Sequence, residues 1–298
     1  MADPIGPLNR EPTAGPPAPL ALPTSLLASL ALVRHGESTY VAEGRFQGRH
    51  DPALSQLGER QAELAAGRLA DRQAGSPLPL PAGRATTIWH SPLRRAADTA
   101  RAIARAQGGV ALVSSDLLIE LAQGEWEGLL HAEVHGRWPS ELAAWRRDPL
   151  HAHAPGGEAL PHAAQRVSAA LDELIGQLAV EGTSSTGRPG PDSAGDLAAS
   201  RGQPVPGYPE SRIDGEAPEP WAVIVAHDGI FRLILMTLLG LPHERFWSFP
   251  FNLCSITVVS LRDGVAALRA HNLADHLAPL AAEERAAEEA RGDRRGAL

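Results

Sequence analysis

Apolar residues fall along the chain in short runs, and most of these runs lead through a turn into a stretch of helical period. Residues 25–33, Ser-Leu-Leu-Ala-Ser-Leu-Ala-Leu-Val, end at Arg34-His35-Gly36, the pattern of a strand covered on both faces in a parallel sheet. After a loop, Ser55 stands as a helix N-cap. Leu57, Ala62, Leu64, Ala65 and Leu69 then recur on one face, predicting an amphipathic helix to about Arg72. The unit repeats: residues 85–90 read as a short β-branched strand, Ser91-Pro92 as a helix start, 93–107 as the helix and Gly108-Gly109 as its stop. Residues 110–118 are expected to form another strand, with Glu120 just past its end, and residues 130–180 are mainly helical in pattern. Trp221–Ala226 reads as a strand, His227-Asp228-Gly229 as a tight turn and 230–240 as a helix. Two alternating strands, 255–261 and 266–271, are joined in hairpin fashion by Arg262-Asp263-Gly264. Alternating strands and helices predict an α/β fold, a three-layer domain with a mostly parallel central sheet flanked by helices.

Three stretches carry no such pattern. Residues 1–29 are rich in Pro, Ala and Gly and are expected to be a disordered tail. Residues 181–220 are dense in Gly, Pro, Ser and acids and are expected to be a disordered insertion, because long structureless loops are uncommon in compact domains. Residues 276–298 mix charges without an apolar stripe and read as a charged tail. Setting these aside leaves about 206 of the 298 residues, one domain at 30–275 and not two.

Composition narrows the chemistry. All 27 basic residues are arginine, and without lysine there is no GxxxxGK[ST] phosphate loop, no Schiff base and no lysine nucleophile. Anions must be met by guanidinium forks, whose planar donors match phosphate and carboxylate oxygens. A formal net charge of −8 argues against a nucleic-acid partner. No apolar run approaches the ~20 residues of a membrane span, and residues 1–30 lack a basic region followed by an uninterrupted apolar core, so neither membrane nor export is expected. The single cysteine, Cys254, cannot form an internal disulfide, which fits a cytoplasmic location.

Two predicted strand ends each deliver a histidine into a glycine-containing turn, at Arg34-His35-Gly36 and His227-Asp228-Gly229. A third, Ser91-Pro92-Leu93-Arg94-Arg95, delivers arginines. Ligands of open α/β sheets bind at the carboxyl ends of the strands, where helix N-termini offer unpaired N–H groups to anions. Two histidines and two or more arginines there suit a single phosphate-sized anion: a neutral imidazole nitrogen can attack phosphorus, and guanidinium forks can stabilise the equatorial oxygens. A leaving alkoxide needs a proton, and Glu120 is the candidate donor.

Residues 32–38, Leu-Val-Arg-His-Gly-Glu-Ser, resemble the RHG[ET] signature of the histidine phosphatase superfamily, which includes phosphoglycerate mutases. Four further segments resemble its motifs in the same order: 45–51 with 54–62, 91–100, 119–128 and 225–229. The resemblance implies a phosphoglycerate mutase-like fold and a metal-independent phosphomonoesterase with no cofactor. By it His35 is the nucleophile that becomes phosphohistidine, Arg34, Arg95 and His227 complete the phosphate pocket, and Glu120 is proton donor and later base. The register selects Arg95 over Arg94. Gln47, Gly48 and Gly229 are the candidate substrate contacts. Val41 stands where the family often has an asparagine that reaches the phosphate, and Asp228 where it often has glycine.

The implied partner is a small phosphorylated metabolite, and a homodimer is an assembly the resemblance allows, since the superfamily includes dimers. Two other functions share the motifs: a bisphosphoglycerate-dependent phosphoglycerate mutase, and a low-activity phosphoester-binding protein. His131 and His135 are spaced i,i+4, but the intervening Glu133 is in the wrong place for the zincin order HExxH, so no metal site is assigned. Trp126 and Trp138 are assigned to the core, and His151 and His153 to solvated surface.

Overall fold

The computed structural model describes residues 20–73, 76–185 and 219–283. The expected tail and insertion therefore lie largely outside the described residues. Six strands form one sheet: β1 (Leu27–Arg34), β2 (Thr87–His90), β3 (Ala111–Ser114), β4 (Trp221–Ala226), β5 (Ile256–Arg262) and β6 (Val265–Leu273), in the order β3-β2-β4-β1-β5-β6. The first four in that order are parallel, while β5 is antiparallel to both β1 and β6. Asp263 and Gly264 turn the β5–β6 hairpin with φ of 52° and 75°, the left-handed pair that two-residue hairpins require.

The helices are α1 (Thr39–Ala42), α2 (Gln56–Ala70), α3 (Arg94–Ala106), α4 (His131–Arg137), α5 (Pro139–Arg147), α6 (Leu160–Ser185) and α7 (Asp228–Leu239). The central strands are buried on both faces, and their side chains sort by the period of two. Leu30, Leu32, Ala222, Ile224 and Ala226 face α6 and α7, whereas Ala31, Val33, Trp221, Val223 and Val225 face α2 and α3. Each enclosed Val, Leu or Ile contributes about 1.5–3 kcal/mol by leaving water. A smaller apolar cluster of Trp126, Val134, Leu142 and Ala154, joined by Phe46, Trp138 and Trp145, holds α4 and α5 against the loops at the carboxyl end of the sheet.

Ser55 caps α2 by accepting the Gly58 N–H at 3.0 Å. The expected strand at 110–118 is corrected: pairing with β2 stops at Ser114, and Asp116–Leu118 forms a 3-10 turn. The physical cause is Leu118, buried on the α6 side, where the Leu117 carbonyl accepts from Arg166 at 2.8 Å. Glu120 thus leaves from an irregular loop and not from a strand end. Chain flanking the expected domain also packs: Leu20 and Leu22 lie on the core, Leu280 is buried, and the His276 ring bonds the Cys254 carbonyl at 3.0 Å.

Candidate active site

His35 follows β1, His227 follows β4 and Arg95 opens α3, so the parallel register of β1, β4 and β2 brings all three to one end of the sheet. The imidazole centroids of His35 and His227 are 5.1 Å apart, and both rings are buried. Nδ1 of His35 lies 2.7 Å from the carbonyl of Gly36. A carbonyl only accepts, so the ring hydrogen sits on Nδ1 and Nε2 carries the free lone pair. Burial, then Arg95 and Arg34, pushes the His35 pKa well below its ordinary value, so the ring is neutral near pH 7. Burial and the same cations do the same to His227.

Arg34 donates from Nη1 to the Phe251 carbonyl at 2.5 Å. Arg95 is fully buried and donates to the carbonyls of His50 and Gly48, both at 2.8 Å. The Nε atoms of both arginines, and Nδ1 of His227, have no hydrogen-bond partner among the described residues. Buried donors without partners are expensive, and two guanidinium Nε groups beside two buried histidines are an arrangement that can hold an anion. Burial lowers the Arg95 pKa to about 10, which leaves it a cation at neutral pH.

Glu120 is half-buried beside these groups. Its Oε1 accepts the Leu121 N–H at 2.8 Å, and the Gly229 N–H is 3.4 Å from Oε2. Burial raises its pKa most; the Leu121 N–H opposes this and the charge of Asp228 adds to it. A half-buried carboxyl held toward its protonated form can deliver a proton.

The remaining expected residues have structural partners. Gln47 Oε1 accepts the Ser38 hydroxyl at 2.5 Å, and Gly48, with φ of 51°, offers its carbonyl to Arg95. A Cβ at Gly229 would lie 2.7 Å from Glu120 Oε1, so this glycine makes room for the carboxyl. Val41 lies in α1, where its N–H donates to Ser38 Oγ at 3.2 Å. The Arg94 N–H donates to Asp51 at 2.6 Å. Asp228 pairs with Arg232 one turn along α7 at 3.0 Å. Trp126 is buried, His151 pairs with Asp148 at 3.0 Å, and among the described residues no three metal-ligating side chains cluster.

Four groups that residue type alone does not single out brace the site. Ser91 Oγ bonds His227, Thr99 Oγ1 accepts the Gly36 N–H at 3.1 Å, Gln61 accepts the Glu37 N–H at 2.8 Å, and the Phe251 carbonyl holds Arg34. Ser91, Thr99 and Gln61 all stand inside motif segments already noted, which was the available signal.

The fold and site define a class: an α/β protein with two histidines and two arginines gathered at the carboxyl end of its parallel strands. The sequence model of the histidine phosphatase superfamily (branch 1) matches residues 30–181 and 210–274, and the chain belongs to that superfamily. Among curated relatives, it is 35% identical over 217 residues to a glucosyl-3-phosphoglycerate phosphatase of Mycolicibacterium vanbaalenii, covering 73% of this chain and 76% of that one. To phosphoserine phosphatase 1 of Hydrogenobacter thermophilus it is 27% identical over 251 residues, covering 84% and 95%. Among solved structures, a mycobacterial glucosyl-3-phosphoglycerate phosphatase in complex with VO3 superposes with a TM-score of 0.61 at 27% identity, over 83% of this chain and 99% of that one. Among the described residues, no helix is long and apolar enough to cross a membrane.

Proposed function

We propose that the protein is a metal-independent phosphomonoesterase that works through phosphohistidine on a small phosphorylated metabolite. The observation that carries the reading is the fixed tautomer of His35: Nδ1–H is held by the Gly36 carbonyl, so the lone pair of Nε2 is free beside Arg34, Arg95 and His227. In the first step the Nε2 lone pair forms the N–P bond. The P–O bond to the leaving group breaks with its electron pair, and Glu120 gives that oxygen a proton. Arg34, Arg95 and His227 stabilise the equatorial oxygens, the arginines by charge and His227 by hydrogen bonding. In the second step Glu120, now a carboxylate, takes a proton from water as the water oxygen attacks phosphorus, and the N–P electrons return to Nε2.

The names of the relatives support a small phosphate ester of a metabolite as the substrate class. The test is His35→Ala assayed on an aryl phosphate and on a panel of phosphoserine, phosphoglycerates and sugar phosphates, with acid-labile phosphoenzyme trapped in the unsubstituted protein. Loss of hydrolysis in the variant and a trapped phosphohistidine are expected. Substantial EDTA-insensitive hydrolysis by the variant would overturn the reading, and interconversion of phosphoglycerates primed by the bisphosphate would replace it with the mutase reading.

A further inference from the structure

The first turn of α2 presses directly on the turn that carries His35. A Cβ on Gly36 would lie 2.4 Å from the Gly58 carbonyl oxygen, and one on Gly58 would lie 1.9 Å from that of Glu37. The two backbones touch because neither residue has a side chain. One helical turn further on, Gln61 therefore reaches the Glu37 N–H at 2.8 Å. That N–H belongs to the same peptide unit as the Gly36 carbonyl, which accepts the His35 Nδ1–H at 2.7 Å. The result is an unbroken line: imidazole Nδ1–H to carbonyl, carbonyl conjugated to N–H, N–H to the Gln61 side-chain oxygen.

Hydrogen bonds in series polarise one another, because accepting the amide hydrogen places more negative charge on the carbonyl oxygen of that amide. The effect is greatest when His35 reacts. As Nε2 bonds to phosphorus the ring becomes cationic and Nδ1–H more acidic, so a more negative Gly36 oxygen favours the transition state over the resting imidazole. Thr99 plays a different part: it holds the preceding peptide, through the Gly36 N–H, and donates to the Arg95 carbonyl at 2.8 Å.

We propose that Gln61 is a positioning residue for His35, fixing the Gly36–Glu37 peptide and raising the nucleophilicity of Nε2 through it. The inference rests on His35 being the nucleophile. Gln61→Leu removes the acceptor at similar volume, and Gln61→Glu keeps it and adds charge. The expected result for Gln61→Leu is a phosphorylation rate about three- to tenfold lower, with KM for an aryl phosphate within about twofold of its starting value. Gln61→Glu is expected to restore the rate.

The second readout needs no turnover. In histidine-labelled protein, the Nδ1–H proton resonance that His35→Asn removes is expected to move upfield in Gln61→Leu and downfield in Gln61→Glu. A resonance that stays in place in Gln61→Glu, or a rate loss that Gln61→Glu does not restore, overturns the inference. Absence of phosphohistidine in the unsubstituted protein defeats the nucleophile assignment instead, and the resonance still reports on the hydrogen-bonded line.

Discussion

Nε2 of His227 lies 2.7 Å from the hydroxyl oxygen of Ser91, and both side chains are fully buried. That oxygen also receives the Leu93 N–H at 3.3 Å, and when its own hydrogen goes to His227 Nε2 the ring hydrogen sits on Nδ1. Nδ1 is the atom left without a partner among the described residues. In that tautomer the hydroxyl at the start of the α3 turn would set His227 as a hydrogen donor toward an anion in the proposed pocket. Ser91→Ala is expected to weaken inhibition by inorganic phosphate or vanadate by about tenfold, the effect of losing one oriented buried hydrogen bond of about 1–1.5 kcal/mol. Ser91→Thr keeps the hydroxyl and should retain most of the affinity. Competitive inhibition constants check this, and an unchanged constant in Ser91→Ala would sink it.

Glu120 is expected to matter in proportion to the basicity of the leaving oxygen. Glu120→Gln keeps the shape but carries no transferable proton. The variant should lose about 10²–10⁴-fold in phosphorylation rate with an alkyl phosphate and much less with an aryl phosphate, whose phenolate departs unaided. Pre-steady-state rates across a series of leaving groups check this: the dependence on leaving-group pKa should steepen in the variant.

The pH dependence follows from the directions of the shifts. In the proposed mechanism His35 must be neutral to attack, and its depressed pKa puts the acid limb of the rate profile well below pH 6.5. As the proposed proton donor Glu120 must be protonated, and its raised pKa carries the alkaline limb above the ordinary 4.5. Activity is expected to be highest on the acid side of neutrality, and Glu120→Gln should erase the alkaline limb.

Stability runs with pH through the same groups. Below about 6.5 an unfolded histidine binds a proton that folded His35 and His227 refuse, so falling pH destabilises the fold until their depressed folded values are reached. Glu120 acts in the opposite direction, since its folded pKa is raised and rising pH above about 4.5 costs stability. Between those bounds each buried histidine contributes a slope of about 1.4 kcal/mol per pH unit. Denaturant titrations of His35→Asn at several pH values should show the slope reduced by about that amount.

Much of this site was legible because strand ends are legible. Unbroken apolar runs such as Trp221–Ala226 place the following residue, His227, at the carboxyl edge of a sheet, and parallel pairing brings it to His35. Glu120 stands in a recognisable motif, but the local structure before it is a 3-10 turn and not the strand its neighbours' composition predicts. The run 110–118 has strand composition, and only the burial of Leu118 against α6 explains why the chain turns there. The bracing groups were hidden for a related reason. Nothing in the type or spacing of Gln61 or Ser91 states which buried N–H or ring nitrogen it will meet; that is decided by how closely α2 approaches the His35 turn, and by the exit of β2 beside β4.

Trp126 illustrates how the helical segment over the site is held. It is fully buried, packs edge-on to Trp145 with centroids 5.8 Å apart and lies 5.4 Å from Phe46, the residue just before Gln47. Gly124 and Gly128 on either side have φ of 48° and 80°, so the loop that starts at Glu120 is fixed by left-handed turns and by this one large ring. Trp126→Ala should destabilise the protein by about 3–5 kcal/mol, as expected for emptying a buried indole. Its Nε1 has no partner among the described residues, so Trp126→Phe gives up no hydrogen bond there and should cost much less. If α4 and α5 depend on this ring, proteolysis of Trp126→Ala should cut first within 131–147, while the sheet core resists. Uniform proteolysis across the chain would show that the cluster is not a separate support.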